Sequence, residues 1–120
     1  MPANEGGLIY GPVTATGAGG RVNMHGAAHT FMASGETSAG AGAATVRIQV
    51  SNLENPDHDD VSGDAHGYWI TAGEIALTLG TTITADGFAV NAGWRWARVW
   101  VQAISGTGAT VNAYASHSAF

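Results

Sequence analysis

The stretch from Ser38 to Ser51, SAGAGAATVRIQVS, falls into two halves. Gly40 and Gly42 stand one residue apart among small side chains. Val46, Ile48 and Val50 then alternate with Arg47 and Gln49. Alternation at a period of two describes a strand with one buried face. Glycine reaches positive φ at little steric cost, so the G-x-G half reads as a turn feeding that strand. Nearly the same phrase returns at Ile104 to Ser118, ISGTGATVNAYASHS, where Val111, Ala113 and Ala115 alternate with Asn112, Tyr114 and Ser116. A fainter copy is TATGAGGRVNM, from Thr14 to Met24. The two clear copies each follow another strand-like segment, HTFMAS (His29 to Ser34) and RVWVQAIS (Arg98 to Ser105). The phrases therefore read as hairpin turns, and the repeat as architecture. The competing reading of G-x-G, a dinucleotide loop, needs a third glycine three positions on and a helix behind it. Thr45 and Val111 occupy those positions and strands follow, so that context fails.

Further strands are expected at GEIALTL (Gly73 to Leu79), DGFAV (Asp86 to Val90) and RWARVWVQAIS (Arg95 to Ser105), while helical periodicity is hard to find. A chain of 120 residues builds one core. The expectation is all-β: a single antiparallel β-sandwich, jelly-roll or Ig-like, of about seven or eight strands. The sandwich is assigned to residues 21–120. The Gly-rich opening, MPANEGGLIYGPVTATGAGG, is read as an extended arm over residues 1–20, with Leu8, Ile9 and Tyr10 as anchors for an adjacent subunit.

The totals exclude several classes of function. Hydrophobic residues make up 45% of the chain and charged residues 11%, against roughly 25% charged in an ordinary soluble domain. With 18 glycines and many alanines, much of the apolar content is small side chains, and the core is thin. That combination suggests a surface partly covered by other copies of the chain. The net charge is −5 and the four cations are Arg21, Arg47, Arg95 and Arg98, so a phosphate backbone is not an expected partner. No apolar run approaches the roughly 20 residues of a membrane-spanning helix. The opening MPANEGGLIYGP has neither a basic start nor an apolar stretch, so no signal peptide is expected. Without cysteines there are no disulfides and no thiolate ligands.

Acids concentrate in the segment NLENPDHDDVSGDAHGY, Asn52 to Tyr68, read as a long acidic loop between strands. Asp57, Asp59, Asp60 and Asp64 are the candidate oxygen ligands for Ca²⁺. The spacing is not that of an EF-hand, and His58 and His66 lie too far apart for a helical pair, so the loop is read as solvated and metal-free. No G-x-S-x-G elbow appears, the Ser116-His117-Ser118 run sits at the end of the chain, and His25 and His29 flank a turn. No base, nucleophile and stabiliser can be named together, so no catalytic residue, cofactor or enzymatic activity is expected.

The tryptophans say more. In GWRWARVWVQAI, Trp94, Trp96, Arg98, Trp100, Gln102 and Ile104 fall on one face of a strand, and Arg95, Ala97, Val99, Val101 and Ala103 on the other. Both faces are substantially apolar. One fills the sandwich. Either the tryptophans are the core and the small residues face outward, or the Trp–Arg face is a candidate interface against a neighbour, anchored by Trp94, Trp96, Arg98 and Trp100, or a stacking platform for sugar rings.

The second half of the chain resembles small all-β structural proteins of tailed bacteriophages. The pattern there joins a V-x-V-x-x-SN strand end, a Trp, a G-x-I-x-L strand, DGF, and a Trp-led strand closing on GTGATV. Matching positions here are Ser51, Asn52, Trp69, Gly73, Ile75, Leu77, Asp86, Gly87, Phe88, Trp96, Val99, Ile104 and Gly106 through Val111, within residues 38–116. The short turn of that pattern is replaced by the long acidic loop, and Trp100 stands where an Arg is expected. The resemblance implies a virion component made in the host cytoplasm: a capsid decoration (cement) protein on the capsid surface, a homotrimer whose partner is the major capsid protein. A phage tail accessory and a small carbohydrate-binding module are the alternatives. Neither nucleic acid nor membrane is an expected partner.

Overall fold

β-Branched and aromatic residues at alternate positions build nine strand segments: β1 (Asn4–Val13), β2 (Gly17–Ala18), β3 (Val22–Asn23), β4 (Ala28–Glu36), β5 (Ala39–Ser51), β6 (Ile70–Leu79), β7 (Thr84–Val90), β8 (Trp96–Thr107) and β9 (Thr110–Ser118). The computed structural model describes residues 4–19, 22–24, 28–53, 69–90 and 94–118.

The strands form two antiparallel sheets. One has four strands in the order β1-β9-β4-β7. The other has the order β2-β8-β5-β6, with β3 also paired to β8. Because β2 and β3 both run along β8, they act as two pieces of one strand. With β2 and β3 counted as one strand, the connection from β5 to β6 joins neighbours within a sheet, and the rest cross from sheet to sheet. Eight strands connected this way form a jelly roll, so of the two expected sandwich types the strand order selects that one.

The alternation read from the sequence faces inward as expected. Val46, Ile48 and Val50 of β5 meet Ala97, Val99 and Val101 of β8 and Ile75, Leu77 and Leu79 of β6. Phe31, Ala33, Val111 and Ala113 close the core from the four-stranded sheet. Phe31 and Phe88 lie side by side with ring centroids 5.9 Å apart. Gly73 of β6 seats the Phe88 ring, since a Cβ there would run into it. That contact closes the sandwich where the edges β6 and β7 face each other.

The G-x-G phrases are not hairpins. The first carries the chain from β4 in one sheet to β5 in the other, and the second from β8 back to β9. The weak copy at Gly17 lies on the crossing from β1 to β2. The repeat follows from this geometry. β5 and β8 are antiparallel neighbours, with Ala39 opposite Thr107, so one begins where the other ends and both corners share one end of the sandwich. There they interleave. A Cβ on Gly106 would sit 2.9 Å from Gly42 Cα and 2.9 Å from the Thr37 methyl, and Gly106 has φ +121°. Ser38 N–H donates to Thr107 O (3.0 Å), Thr37 N–H to Gly80 O (2.8 Å), and the Thr37 hydroxyl to Gly40 O (2.6 Å). These bonds stitch the ends of β4, β5, β6 and β8 together.

Residues 4–13, read from sequence as part of an extended arm reaching an adjacent subunit, run as an edge strand along β9 of the same chain, from Asn4 opposite Ser118 to Val13 opposite Val111. The register slips between Leu8 and Tyr10 and again between Tyr10 and Val13. A bulge shifts side chains between faces, so this strand shows no alternation in sequence.

Candidate functional site

The outer faces of the two sheets are the surfaces left for contact with other molecules, and they differ. On the five-stranded sheet, Arg98 of β8 stands opposite Gln49 of β5, and both are fully buried although they point away from the core. Arg98 Nε donates to Gln49 Oε1 (2.8 Å). The guanidinium lies 4.8 Å from the Trp69 ring centre and 5.8 Å from that of Trp100, a cation–π pair of contacts that screens it from water. Trp69 is itself fully buried at the entrance to β6. Gln49 Nε2 finds no acceptor among the described residues. Beside this cluster Arg47 donates to Glu74 across β5 and β6 at 2.9 Å, both side chains partly exposed. The face is occupied by its own residues.

This placement reorders the tryptophan strand. Trp96, Arg98 and Trp100 share one face as expected, and of the two readings left open by the sequence that face is the outer one, but the register shift between Thr45 and Val46 turns Ile104 to the inside, where it packs against the core. Trp94 precedes β8 and also packs against the core. Of the anchors expected in the arm, Ile9 and Tyr10 pack against the core of their own chain, Tyr10 with its ring over Gly19, while Leu8 stays half exposed. Asp57, Asp59, Asp60 and Asp64 lie outside the described residues. Among the described residues no group of three or more His, Asp or Glu side chains comes together to hold a metal ion.

The four-stranded sheet presents the opposite surface. Leu8 of β1, Tyr114 of β9, Met32 of β4 and Gly87 of β7 are direct cross-strand partners and form one row across all four strands. Leu8 is 51% and Met32 43% exposed. Over β9, β4 and β7 this face hollows into an open trough of about 740 Å³, bordered by Thr30, Met32, Tyr114 and Ser116 and by the small residues Ala85, Gly87 and Ala89. The hollow follows from the sequence of β7, TADGFAV: its outward positions carry almost no side chain beside a methionine and a tyrosine. Asp86 sits at the trough, exposed, with Oδ1 accepting the Gly87 N–H (2.8 Å). The signal for this face was in the sequence. HTFMAS puts Thr30 and Met32 opposite Phe31 and Ala33, and NAYAS puts Tyr114 on the non-core side, but two separate strands have to be paired before the row appears.

Positions shared with the phage pattern serve the frame. Ser51 Oγ accepts the Leu53 N–H (3.2 Å) and Asn52 Oδ1 accepts the Arg95 N–H (2.9 Å), tying the end of β5 to the start of β8. Trp69, Gly73 and Phe88 are the packing residues described above.

No protein-family model and no curated protein matches the chain. A solved structure described as "CBM4 structure and function", a carbohydrate-binding module, is similar to 94% of this chain and 66% of its own, at 11% sequence identity and a TM-score of 0.45. No binding property carries over from it.

Proposed function

We propose that the protein is a non-enzymatic structural component of a tailed-bacteriophage virion that docks on the assembled head through the outer face of its four-stranded sheet, as a decoration (cement) protein. The observation that carries the docking is the solvent-open apolar row of Leu8, Tyr114, Met32 and Gly87 across four strands. A contiguous apolar patch of this kind on a soluble protein marks an interaction site. The virion context rests on the strand and turn pattern over residues 38–116. On this reading the partner is the major capsid protein and the assembly a homotrimer at a local symmetry axis. Binding the assembled lattice and not its free subunits would stabilise the shell by mass action.

The test mixes purified protein with undecorated capsids and measures co-sedimentation and capsid melting. Decoration predicts saturable co-sedimentation and a raised melting temperature, both lost in Met32→Glu. Capsids that melt unchanged and sediment without the protein would end the reading. If it instead sediments with tail fibres, or binds glycans saturably, the tail or carbohydrate reading replaces it.

A further inference from the structure

The four-stranded sheet ends in two edges that are protected unequally. β1 is broken by two register slips and carries Pro12, which has no N–H to offer. Slips and prolines, like charged side chains, are among the devices by which natural sheets blunt an edge against strand pairing. β7 has neither. It follows β4 without a shift from His29 opposite Val90 to Gly35 opposite Thr84, and it contains no proline. Ala85, Gly87 and Ala89 also form the low wall of the trough. A regular, open edge and an apolar hollow are therefore continuous. The charged residue of β7 is Asp86, whose carboxylate holds the Gly87 N–H.

We propose that the β7 edge accepts an extended segment of a partner protein, which joins the four-stranded sheet as a further strand, lays alternate apolar side chains over the trough and sets a lysine or arginine against Asp86. The proposal rests on the docking reading above and names the chemistry of what docks. An incoming strand supplies main-chain hydrogen bonds to the edge, and its alternate side chains supply specificity. Its cation takes up the Asp86 carboxylate, which frees the Gly87 N–H for an incoming carbonyl. Charge selects a foreign segment over a second copy. The chain carries −5, and of the arginines within its strands Arg98 is buried and Arg47 is held by Glu74. Two β7 strands paired antiparallel about Gly87 would bring their Asp86 carboxylates together as diagonal neighbours, where like charges repel.

The experiment uses the full chain and two nonapeptides alternating threonine and valine, one with a central lysine and one with a central glutamate. The lysine peptide should shift the Ala85, Gly87 and Ala89 amide resonances and slow their hydrogen exchange. It should bind about threefold tighter than the glutamate peptide, the scale of one exposed ion pair, and Asp86→Asn should erase that preference. Ala89→Pro should abolish binding. Ala85→Lys, which keeps the backbone intact, should weaken it even if the proline variant fails to fold. The proposal falls if neither peptide moves β7, if the shifts appear on the five-stranded sheet, or if Asp86→Asn leaves the preference intact. It also falls if the protein self-associates and Ala85→Lys makes it monomeric, since the occupant is then a second copy. Capsids bound equally by Ala85→Lys and the unaltered protein would overturn the edge proposal and spare the docking reading. Peptides that bind a protein indifferent to capsids would do the reverse.

Discussion

The outer faces of the two sheets are built on one sandwich and have opposite fates. On the five-stranded sheet a guanidinium, an amide and indole rings lock together over the strands, so Arg98 and Gln49 are as buried as the core valines. On the four-stranded sheet the residues at equivalent positions are Met32, Tyr114, Gly87 and Ala89, which leave a hollow open to water. Aromatic and cationic residues in a strand are thus no sure sign of a binding platform. Here they seal a face, and the plainer strands leave one free. The difference is testable, because substitutions on the sealed face should act on stability and those on the open face on binding.

The largest effect is expected at Arg98. Arg98→Ala removes the donor to Gln49 Oε1 and leaves a gap between Trp69 and Trp100. Loss of a buried hydrogen bond to a charged group together with a cavity should cost about 3 kcal/mol. Arg98→Met, which refills the volume without the hydrogen bond, should cost roughly half of that. Urea denaturation midpoints measure both. If Arg98→Ala unfolds with the native midpoint, the face is not sealed by this cluster and the contrast fails.

Next comes the closure between β6 and β7. A methyl group on Gly73 would meet the Phe88 ring, which also packs on Phe31. Gly73→Ala should therefore cost about 2 kcal/mol through overpacking and displace the Phe88 ring signals in NMR. Because Phe88 lies behind the trough, this substitution should also weaken docking, joining the stability of the frame to the shape of the open face.

Glu74→Gln should do much less. The Arg47–Glu74 pair is 29% and 47% exposed, so its removal is worth about 0.5 kcal/mol, and less in high salt. A loss of more than about 1.5 kcal/mol in a thermal melt would mean that this pair belongs to the sealed cluster and not to its rim.

How much of this was legible follows from where each signal is stored. The inward residues of β5 and β9 were readable because alternation is a local signal, and Val46, Ile48, Val50, Val111 and Ala113 are all core; on β8 both faces are apolar and the sequence did not choose between them. The destination of the G-x-G turns was not. The same glycine chemistry serves a hairpin and a corner between sheets, and the choice depends on which strands pair at a distance. The extra residue of β8, Gln102, opposite the step from Thr45 to Val46 of β5, turns Ile104 inward and likewise leaves no mark in either segment alone. Residues 4–13 looked like an arm because bulges erase periodicity while leaving the pairing intact. The trough was hidden for a related reason. It is defined by what Ala85, Gly87 and Ala89 lack, and absent side chains give no pattern until a neighbouring strand supplies Met32 and Tyr114.

The smallest effect on stability should be at Met32, and it separates the faces most cleanly. Met32 is 43% exposed, its side chain stands on the outer face, and its cross-strand partners are Tyr114 and Gly87. Met32→Thr keeps a residue suited to strands and removes a flexible apolar side chain that water already reaches, so stability should change by no more than about 0.5 kcal/mol. Binding should respond differently. Met32 is the largest aliphatic side chain bordering the trough, and a centrally placed apolar contact at an interface commonly costs more than about 1 kcal/mol when truncated. The expected outcome is an unchanged melting curve with capsid or peptide affinity lowered about fivefold or more. Equal loss of stability and affinity would mean that Met32 supports the fold, and the open face would then be no freer than the sealed one.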